Sequence, residues 1–155
     1  RQERLAHAGQ VVRTITESKA QTLGRTGDVE VTTVECAAAI SSAYFYKLCE
    51  ELIDNAFKYS APGAAVKVSA SVLADYLRLT IADQGRGMSA QQIADVGAYV
   101  QFDRQSFERQ GVGLGLIIAK RLAEMHGGWL HIESEAGAGT TVSVSLPLAP
   151  EAAPL

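Results

Sequence analysis

The stretch from residue 50 to residue 60, EELIDNAFKYS, restricts the fold more than any other part of the sequence. At 100° per residue, its apolar and polar side chains fall on opposite sides of a helical projection. The segment from residue 38 to residue 60 is therefore predicted to form an amphipathic helix that packs on a core. Its apolar side is predicted to contain Phe45, Tyr46, Cys49, Leu52, Ile53, Ala56 and Phe57.

The polar side of this helix has an unusual chemical order. It contains Tyr44, Lys47, Glu51, Asp54, Asn55 and Lys58. Glu51, Asn55 and Lys58 are spaced i, i+4 and i+7, so they stack in one row. A carboxamide oxygen can bind Mg²⁺, an ammonium can meet phosphate oxygens, and a carboxylate can hold a water molecule. A solvated face with an ordinary salt-bridge ladder has the same pattern, so the helix alone leaves both interpretations open.

Composition and charge limit the class of protein. The chain has 155 residues, of which 47% are apolar and 20% charged, enough for one globular domain with its own core. A net charge of −3 offers no electrostatic grip on nucleic acid. The apolar stretches are too short to span a bilayer, so no membrane contact is expected of this chain. Arg1 in place of a start methionine indicates a segment of a longer protein. Cys36 and Cys49 lack a CxxC spacing and are predicted to be reduced core residues of a cytoplasmic protein, with a disulfide between them as the alternative.

Periodicity and turn signals predict the remaining elements. The predicted helices are residues 1–22, 38–60, 89–97 and 116–126, and the predicted strands are residues 28–36, 66–72, 76–82, 129–134 and 140–146. The polar segment 98–110 is expected to be a mobile loop. Strands and helices in this order predict an α/β protein, a two-layer α/β sandwich in which helices cover one face of a mixed β-sheet.

A first glycine cluster follows directly on a predicted strand. Asp83 at the strand end can accept hydrogen bonds from an amino group such as that of adenine, and Gly85 and Gly87 let a flat ring approach the backbone. The alternative is a plain turn that contains an aspartate.

A second glycine cluster opens an apolar helix. Gly111, Gly113 and Gly115 precede it at alternate positions, and the free N–H groups of a helix N-terminus suit a phosphate. The alternative is a flexible helix start, although glycine is a poor helix former and three of them need a reason. Neither cluster matches a P-loop or a Rossmann fingerprint.

Four stretches together are more specific than any one of them. EELIDNAFKYS, DQGRGM, GVGLGL and GAGTT, in that order, resemble the GHKL ATP-binding superfamily, and within it the catalytic ATP-binding domain (HATPase_c) of sensor histidine kinases. The resemblance covers residues 28–148 and implies the Bergerat fold with ATP and Mg²⁺ as cofactors. Residues 1–27 would then be a helical segment that ends a dimerisation helix and its linker, and residues 149–155 a disordered tail.

The resemblance also implies a role for individual residues. Asn55 would bind Mg²⁺, Lys58 would contact phosphate, Tyr59 would be the aromatic residue that follows it, and Asp83 would read adenine with Thr140 nearby. Glycines and leucines would surround the nucleotide, namely Gly85, Gly87, Gly111, Gly113, Leu114, Gly115 and Leu116. Residues 99–110 would form the ATP lid, with Phe102 as its aromatic residue and Arg104 or Arg109 as candidate sensors of the γ-phosphate.

Two features depart from the histidine-kinase pattern. Glu51 stands where most histidine kinases have asparagine, and the gyrase and mismatch-repair branches carry glutamate there as a base that activates water. Glu51 is thus a candidate catalytic residue beside Asn55 and Lys58, or a group that only orients a metal-bound water. The phosphoacceptor motif is absent, because His7 is followed by Ala8 and Gly9.

The expected function is binding of Mg-ATP and transfer of the γ-phosphoryl to a histidine on a dimerisation domain outside this segment. Lys58 and the helix N-terminus after Gly115 would stabilise the charge. The expected partners are the protein's own dimerisation domain and a response regulator receiver, in a full-length homodimer that is cytoplasmic or membrane-anchored. The alternatives are a GHKL-type ATPase, an anti-sigma-type serine kinase and a non-catalytic nucleotide-binding module.

Overall fold

The computed structural model describes residues 3–97 and 114–150. The helices are α1 (Ala8–Thr22), α2 (Ser42–Tyr59), α3 (Ala90–Gly97) and α4 (Leu114–Met125). The strands are β1 (Val29–Thr33), β2 (Val66–Leu73), β3 (Tyr76–Asp83), β4 (Trp129–Ser134) and β5 (Thr140–Pro147). In these two ranges no helix has the length and apolar character that crossing a bilayer requires.

The strands form one mixed sheet in the order β1-β2-β3-β5-β4. β1 runs parallel to β2, and the other neighbouring pairs are antiparallel. Alternate residues of β2 and β3, such as Val68 and Leu79, are buried in the core, whereas Lys67 and Arg78 between them are exposed. This alternation confirms the predicted two-layer α/β sandwich. The register places Asp83 opposite Thr140, which brings the first glycine cluster next to the β4–β5 turn.

Helix α2 has the predicted amphipathic character but a later start. Its buried face includes Phe45, Leu52 and Phe57. The helix begins at Ser42 rather than near residue 38, because the Ser41 hydroxyl accepts the Tyr44 N–H at 3.3 Å and caps it. The prediction for Tyr46 was wrong: its side chain is 41% exposed rather than in the core.

The N-terminal segment also differs from its prediction. The helix begins at Ala8, whereas Leu5 exchanges backbone hydrogen bonds with Ala38 at 2.8 and 2.9 Å. This pairing explains why neither segment is helical there, since its backbone groups already have partners. Val12 and Ile15 of α1 are buried in the same core as the sheet, so α1 packs as part of the sandwich. At the other end of the chain, the Ala149 N–H donates to the Ala37 carbonyl at 2.9 Å, and the rest of the predicted tail, residues 151–155, lies outside the described residues.

A buried arginine fixes the end of α2 that carries the polar row. Arg25 follows α1 and is only 6% exposed. Its guanidinium donates to the Asp28 carboxylate at 2.7 Å and to carbonyls around the end of α2, those of Phe57, Ser60, Ala61 and Ala64. The Arg25 guanidinium also holds the pKa of Asp28 below its ordinary value. One charged side chain thereby binds the Phe57 carbonyl in the last turn of α2 and three carbonyls of the segment that follows the helix.

The two cysteines behave as predicted. Cys36 is partly buried, Cys49 is fully buried, and both are free thiols. Burial raises the pKa of both thiols, so neither is a reactive thiolate at neutral pH.

Candidate functional site

Asp83 lies at the last position of β3, where the strand leaves the sheet. One of its carboxylate oxygens accepts the Gly85 N–H at 2.8 Å. Burial raises the pKa of the Asp83 carboxyl, and the backbone N–H groups of Gly85 and Thr140 oppose this rise. A carboxylate has about four acceptor positions, so positions remain for a ligand beside the one that Gly85 occupies.

A cavity of about 520 Å³ lies beside Asp83. Ile93 of α3 and Ile132 of β4 give it apolar walls, while Asp83 and Thr140 supply polar atoms. Glu133, Glu135 and Thr141 line it as well, so the lining is as polar as it is apolar. A cavity that combines apolar walls with fixed polar groups suits a flat heterocycle that carries an amino group. The structure thus brings Asp83 and Thr140 together at this cavity.

The glycines after Asp83 are required by close backbone packing. A Cβ at Gly85 would overlap the Tyr59 carbonyl at the end of α2. Gly87 has a φ of 71°, and a Cβ there would overlap the Glu135 carbonyl in the β4–β5 turn. These two glycines therefore let the segment after β3 pack closely against the end of α2 and against the β4–β5 turn.

Ser134, which no sequence pattern marks, links the segment after β3 to the β4–β5 turn. The Ser134 hydroxyl accepts the Met88 N–H at 2.7 Å and donates to the Gly139 carbonyl at 2.7 Å. It also lies 2.8 Å from the Thr140 hydroxyl oxygen. The only sequence signal was a serine at the end of β4, and its importance depends on the β4–β5 register, which pairs Ser134 with Thr140.

The polar row of α2 is only partly free for a ligand. Asn55 is partly buried, and none of the residues in 3–97 and 114–150 hydrogen-bonds its carboxamide. Lys58 is exposed, with its ammonium 5.3 Å from the centre of the Tyr59 ring. The Arg86 guanidinium lies 4.2 Å from the centre of the same ring. Asp54, on the same polar side, instead pairs with Lys19 of α1 at 2.9 Å.

Glu51 faces the start of α4. One of its oxygens pairs with the Lys47 ammonium at 2.7 Å. A Cβ at Gly115 would come within 2.7 Å of the other oxygen, so glycine lets the first turn of α4 pack against α2. The N-terminal end of α4 and the polar row therefore adjoin. In the described part of the chain, no three His, Cys, Asp or Glu side chains converge as metal ligands.

The remaining predicted site residues are either buried near the start of α4 or lie outside the described residues. Leu116 is 2% exposed and packs in the core, so only its backbone could meet a ligand. Leu114 is partly buried against the same core. Gly111, Gly113 and the predicted lid with Phe102 lie outside the described residues.

Comparison with known proteins identifies the class. Residues 41–150 match the family described as "Histidine kinase-, DNA gyrase B-, and HSP90-like ATPase". The chain belongs to this family, and it is a catalytic ATP-binding domain of the sensor histidine kinase type.

Curated relatives of the chain include a histidine protein kinase and a heme sensor protein. The chain is 41% identical to the histidine protein kinase DivJ of Caulobacter vibrioides over 98 residues, 63% of this chain and 16% of DivJ. It is 38% identical to the heme sensor protein HssS of Staphylococcus saprophyticus over 102 residues, 66% of this chain and 22% of HssS. The matched part is thus about a fifth of the length of these curated relatives.

Solved structures agree in fold. The mycobacterial sensor histidine kinase MprB superposes with a TM-score of 0.79 at 27% identity, covering 97% of this chain and 100% of that one. Full-length ShkA in complex with AMPPNP superposes with a TM-score of 0.72 at 25% identity, covering 95% of this chain and 31% of ShkA.

Proposed function

We propose that the chain binds Mg-ATP with its adenine in the Asp83 cavity and transfers the γ-phosphoryl to a histidine on a dimerisation domain of the same protein. The observation that carries the proposal is the Asp83 carboxylate, which the Gly85 N–H holds at a cavity with Ile93 and Ile132 among its walls. The adenine amino group would donate to the free acceptor positions of this carboxylate, while Ile93 and Ile132 cover the faces of the ring. Thr140 would meet the same edge of the base.

The triphosphate would extend from this cavity towards α2 and the start of α4. Asn55 fits a magnesium ion, because its carboxamide oxygen has no partner among the described residues and Mg²⁺ keeps most of its waters. Bound there, Mg²⁺ would neutralise charge on the phosphates. Lys58, oriented by the Tyr59 ring, would add a second positive charge. Phosphate oxygens would be bound by backbone N–H groups of the second glycine cluster and the start of α4, those of Gly111, Gly113, Leu114, Gly115 and Leu116.

Partners follow from the same proposal. The matched relatives include proteins named sensor histidine kinases or sensor proteins, which supports a dimerisation domain as the phosphoacceptor and a response regulator receiver as the next acceptor. The full protein would be a homodimer whose catalytic domain works in the cytoplasm. Glycine-mediated packing at Gly85 and Gly87 would keep the adenine cavity rigid while the predicted lid closes over the phosphates.

The magnesium assignment can be tested by titration calorimetry with ATP in Mg²⁺ and in EDTA. Asn55→Ala should remove most of the magnesium-dependent gain in affinity and leave binding in EDTA nearly unchanged, because adenine contacts remain. Gln21→Ala, which removes an exposed amide on α1, is the matched control and should change neither value. An unchanged magnesium effect in Asn55→Ala would contradict the assignment.

A second activity, ATP hydrolysis, is favoured by one observation. The Glu51 carboxylate faces the first turn of α4, where the phosphates would bind. As a base, Glu51 could take a proton from an attacking water. Glu51→Gln should then abolish phosphate release while ATP affinity stays nearly constant. Glu50→Gln, which alters the neighbouring carboxylate beside Lys19, should leave release unchanged. Undiminished release in Glu51→Gln would exclude this role.

A further inference from the structure

The hydrogen-bond directions around Ser134 can be derived from its three contacts. The Met88 N–H can only donate, so the Ser134 oxygen accepts it. The Gly139 carbonyl can only accept, so it receives the single proton of Ser134. The Thr140 hydroxyl, 2.8 Å away, must therefore donate its own proton to Ser134. With one bond donated and two accepted, the Ser134 hydroxyl is saturated.

This pattern determines what Thr140 can offer to a ligand. Its only hydroxyl proton is directed at Ser134, so the Thr140 oxygen has just lone pairs left for the cavity that it lines. Asp83, directly opposite in the register, is likewise an acceptor when ionised. The polar side of the cavity then contains two acceptors and no side-chain donor from this pair of residues.

We propose that Ser134 is a positioning residue that makes Thr140 a pure acceptor and so sets the preference for a 6-amino purine over a 6-oxo purine. The inference rests on the proposed nucleotide site. A ligand edge that donates is matched by Asp83 and Thr140, whereas a carbonyl at the same place meets two acceptors and is rejected. The same serine ties Met88 to Gly139, which keeps the segment after β3 and the β4–β5 turn at a fixed separation.

The preference can be separated from simple stabilisation of the fold. Without the Ser134 hydroxyl, the Thr140 proton is free to rotate into the cavity, and Thr140 could then donate to a carbonyl. If Ser134 only stabilised the fold, its removal would weaken the binding of both kinds of nucleotide by the same factor. Only the proposed role changes the ratio of their affinities.

The experiment measures dissociation constants for ATP and for ITP, its 6-oxo counterpart, by competition with a fluorescent ATP analogue. Ser134→Ala should lower the preference for ATP by about 3- to 10-fold, the equivalent of one neutral hydrogen bond. Ser134→Thr retains a hydroxyl and should restore the wild-type preference. In a Thr140→Val background, Ser134→Ala should change the preference no further, because the hydroxyl on which it acts is gone.

The outcomes that overturn the proposal are distinct from those that overturn the site. Suppose that the wild-type chain binds ATP but Ser134→Ala leaves the ratio of the ATP and ITP affinities unchanged. Ser134 then does not set the preference. The same conclusion follows if Ser134→Ala shifts this ratio by the same factor in the wild-type and in the Thr140→Val background. If Ser134→Ala fails to fold, Thr140→Val alone decides, and an unchanged ratio there overturns the inference. Absence of ATP binding by the wild-type chain would instead overturn the proposed function itself.

Discussion

Replacing Asp83 by asparagine should weaken nucleotide binding without weakening the fold. The carboxamide oxygen can still accept the Gly85 N–H, so the local geometry has a reason to persist. The charge that should strengthen the bond from an adenine amino group is lost, however. The variant therefore separates the contribution of the charge to binding from its contribution to folding.

The size of the effect follows from the type of bond. A hydrogen bond to a charged acceptor contributes more than a neutral one, and its loss should cost about 1–3 kcal/mol of binding free energy. This corresponds to about a 5- to 150-fold rise in the dissociation constant of ATP. Folding stability should move in the opposite direction at neutral pH, because burial disfavours the ionised Asp83 carboxyl.

The pH dependence gives an independent check with a defined sign. The folded-state pKa of Asp83 is raised, so the folded chain binds a proton more readily than the unfolded chain. Stability of the wild type relative to Asp83→Asn should thus fall as pH rises from the ordinary aspartate pKa through the raised one, and stay constant above it. Wild-type ATP affinity should decrease on acidification through the same window, as Asp83 becomes neutral.

Calorimetry with ATP and urea denaturation across this pH range measure both effects. Asp75→Asn, which changes an exposed carboxylate in the β2–β3 turn, is the matched control and should alter neither. If Asp83→Asn binds ATP as tightly as the wild type does, the Asp83 carboxylate does not hydrogen-bond the adenine. A loss of stability at neutral pH would refute the argument that its ionised form is disfavoured by burial.

Two further pairs of variants test the scaffold of the site. Arg25→Met should lower the free energy of unfolding by about 3–5 kcal/mol in urea denaturation, because it leaves Asp28 and the carbonyls around the end of α2 without their buried cation. The control Arg121→Met, on the exposed side of α4, should lower it by less than about 0.5 kcal/mol. Equal losses of stability in the two variants would contradict this role of Arg25. Gly63→Ala should cost only about 1–2 kcal/mol for a left-handed backbone in open space. Gly87→Ala should cost clearly more and also weaken ATP binding, since its Cβ would meet the β4–β5 turn; thermal unfolding curves that shift equally would refute this.

Local patterns predicted much of this structure. The apolar face of α2 and the position of Asp83 at a strand end could be predicted because both depend on periodicity within one segment. The start of α2 could not, since the chain near Ala38 looks helical by composition but pairs its backbone with Leu5 and Leu148. That pairing depends on segments far away in sequence.

The parts of the site that the sequence reasoning missed are long-range in the same sense. Arg25 contacts carbonyls 32 to 39 residues further along the chain, so no local pattern marks it as the residue that fixes α2. Ser134 lies 46 residues from Met88, and its contact with Thr140 requires the β4–β5 hairpin register. Tyr46 shows the limit of a helical projection, because side chains at the border of the apolar face are decided by what packs beside them.

The central claim, transfer of the γ-phosphoryl to a histidine, is tested most directly by identifying the residue that becomes phosphorylated. The chain, joined to or mixed with the dimerisation domain of its own protein, is incubated with Mg²⁺ and γ-labelled ATP, and the product is treated with acid and with base. Phosphohistidine is labile to acid and stable to base, and label with this behaviour on the dimerisation domain is the predicted result. Acid-stable phosphoserine, or label found only as free phosphate, would contradict transfer to histidine and favour a serine kinase or an ATPase instead.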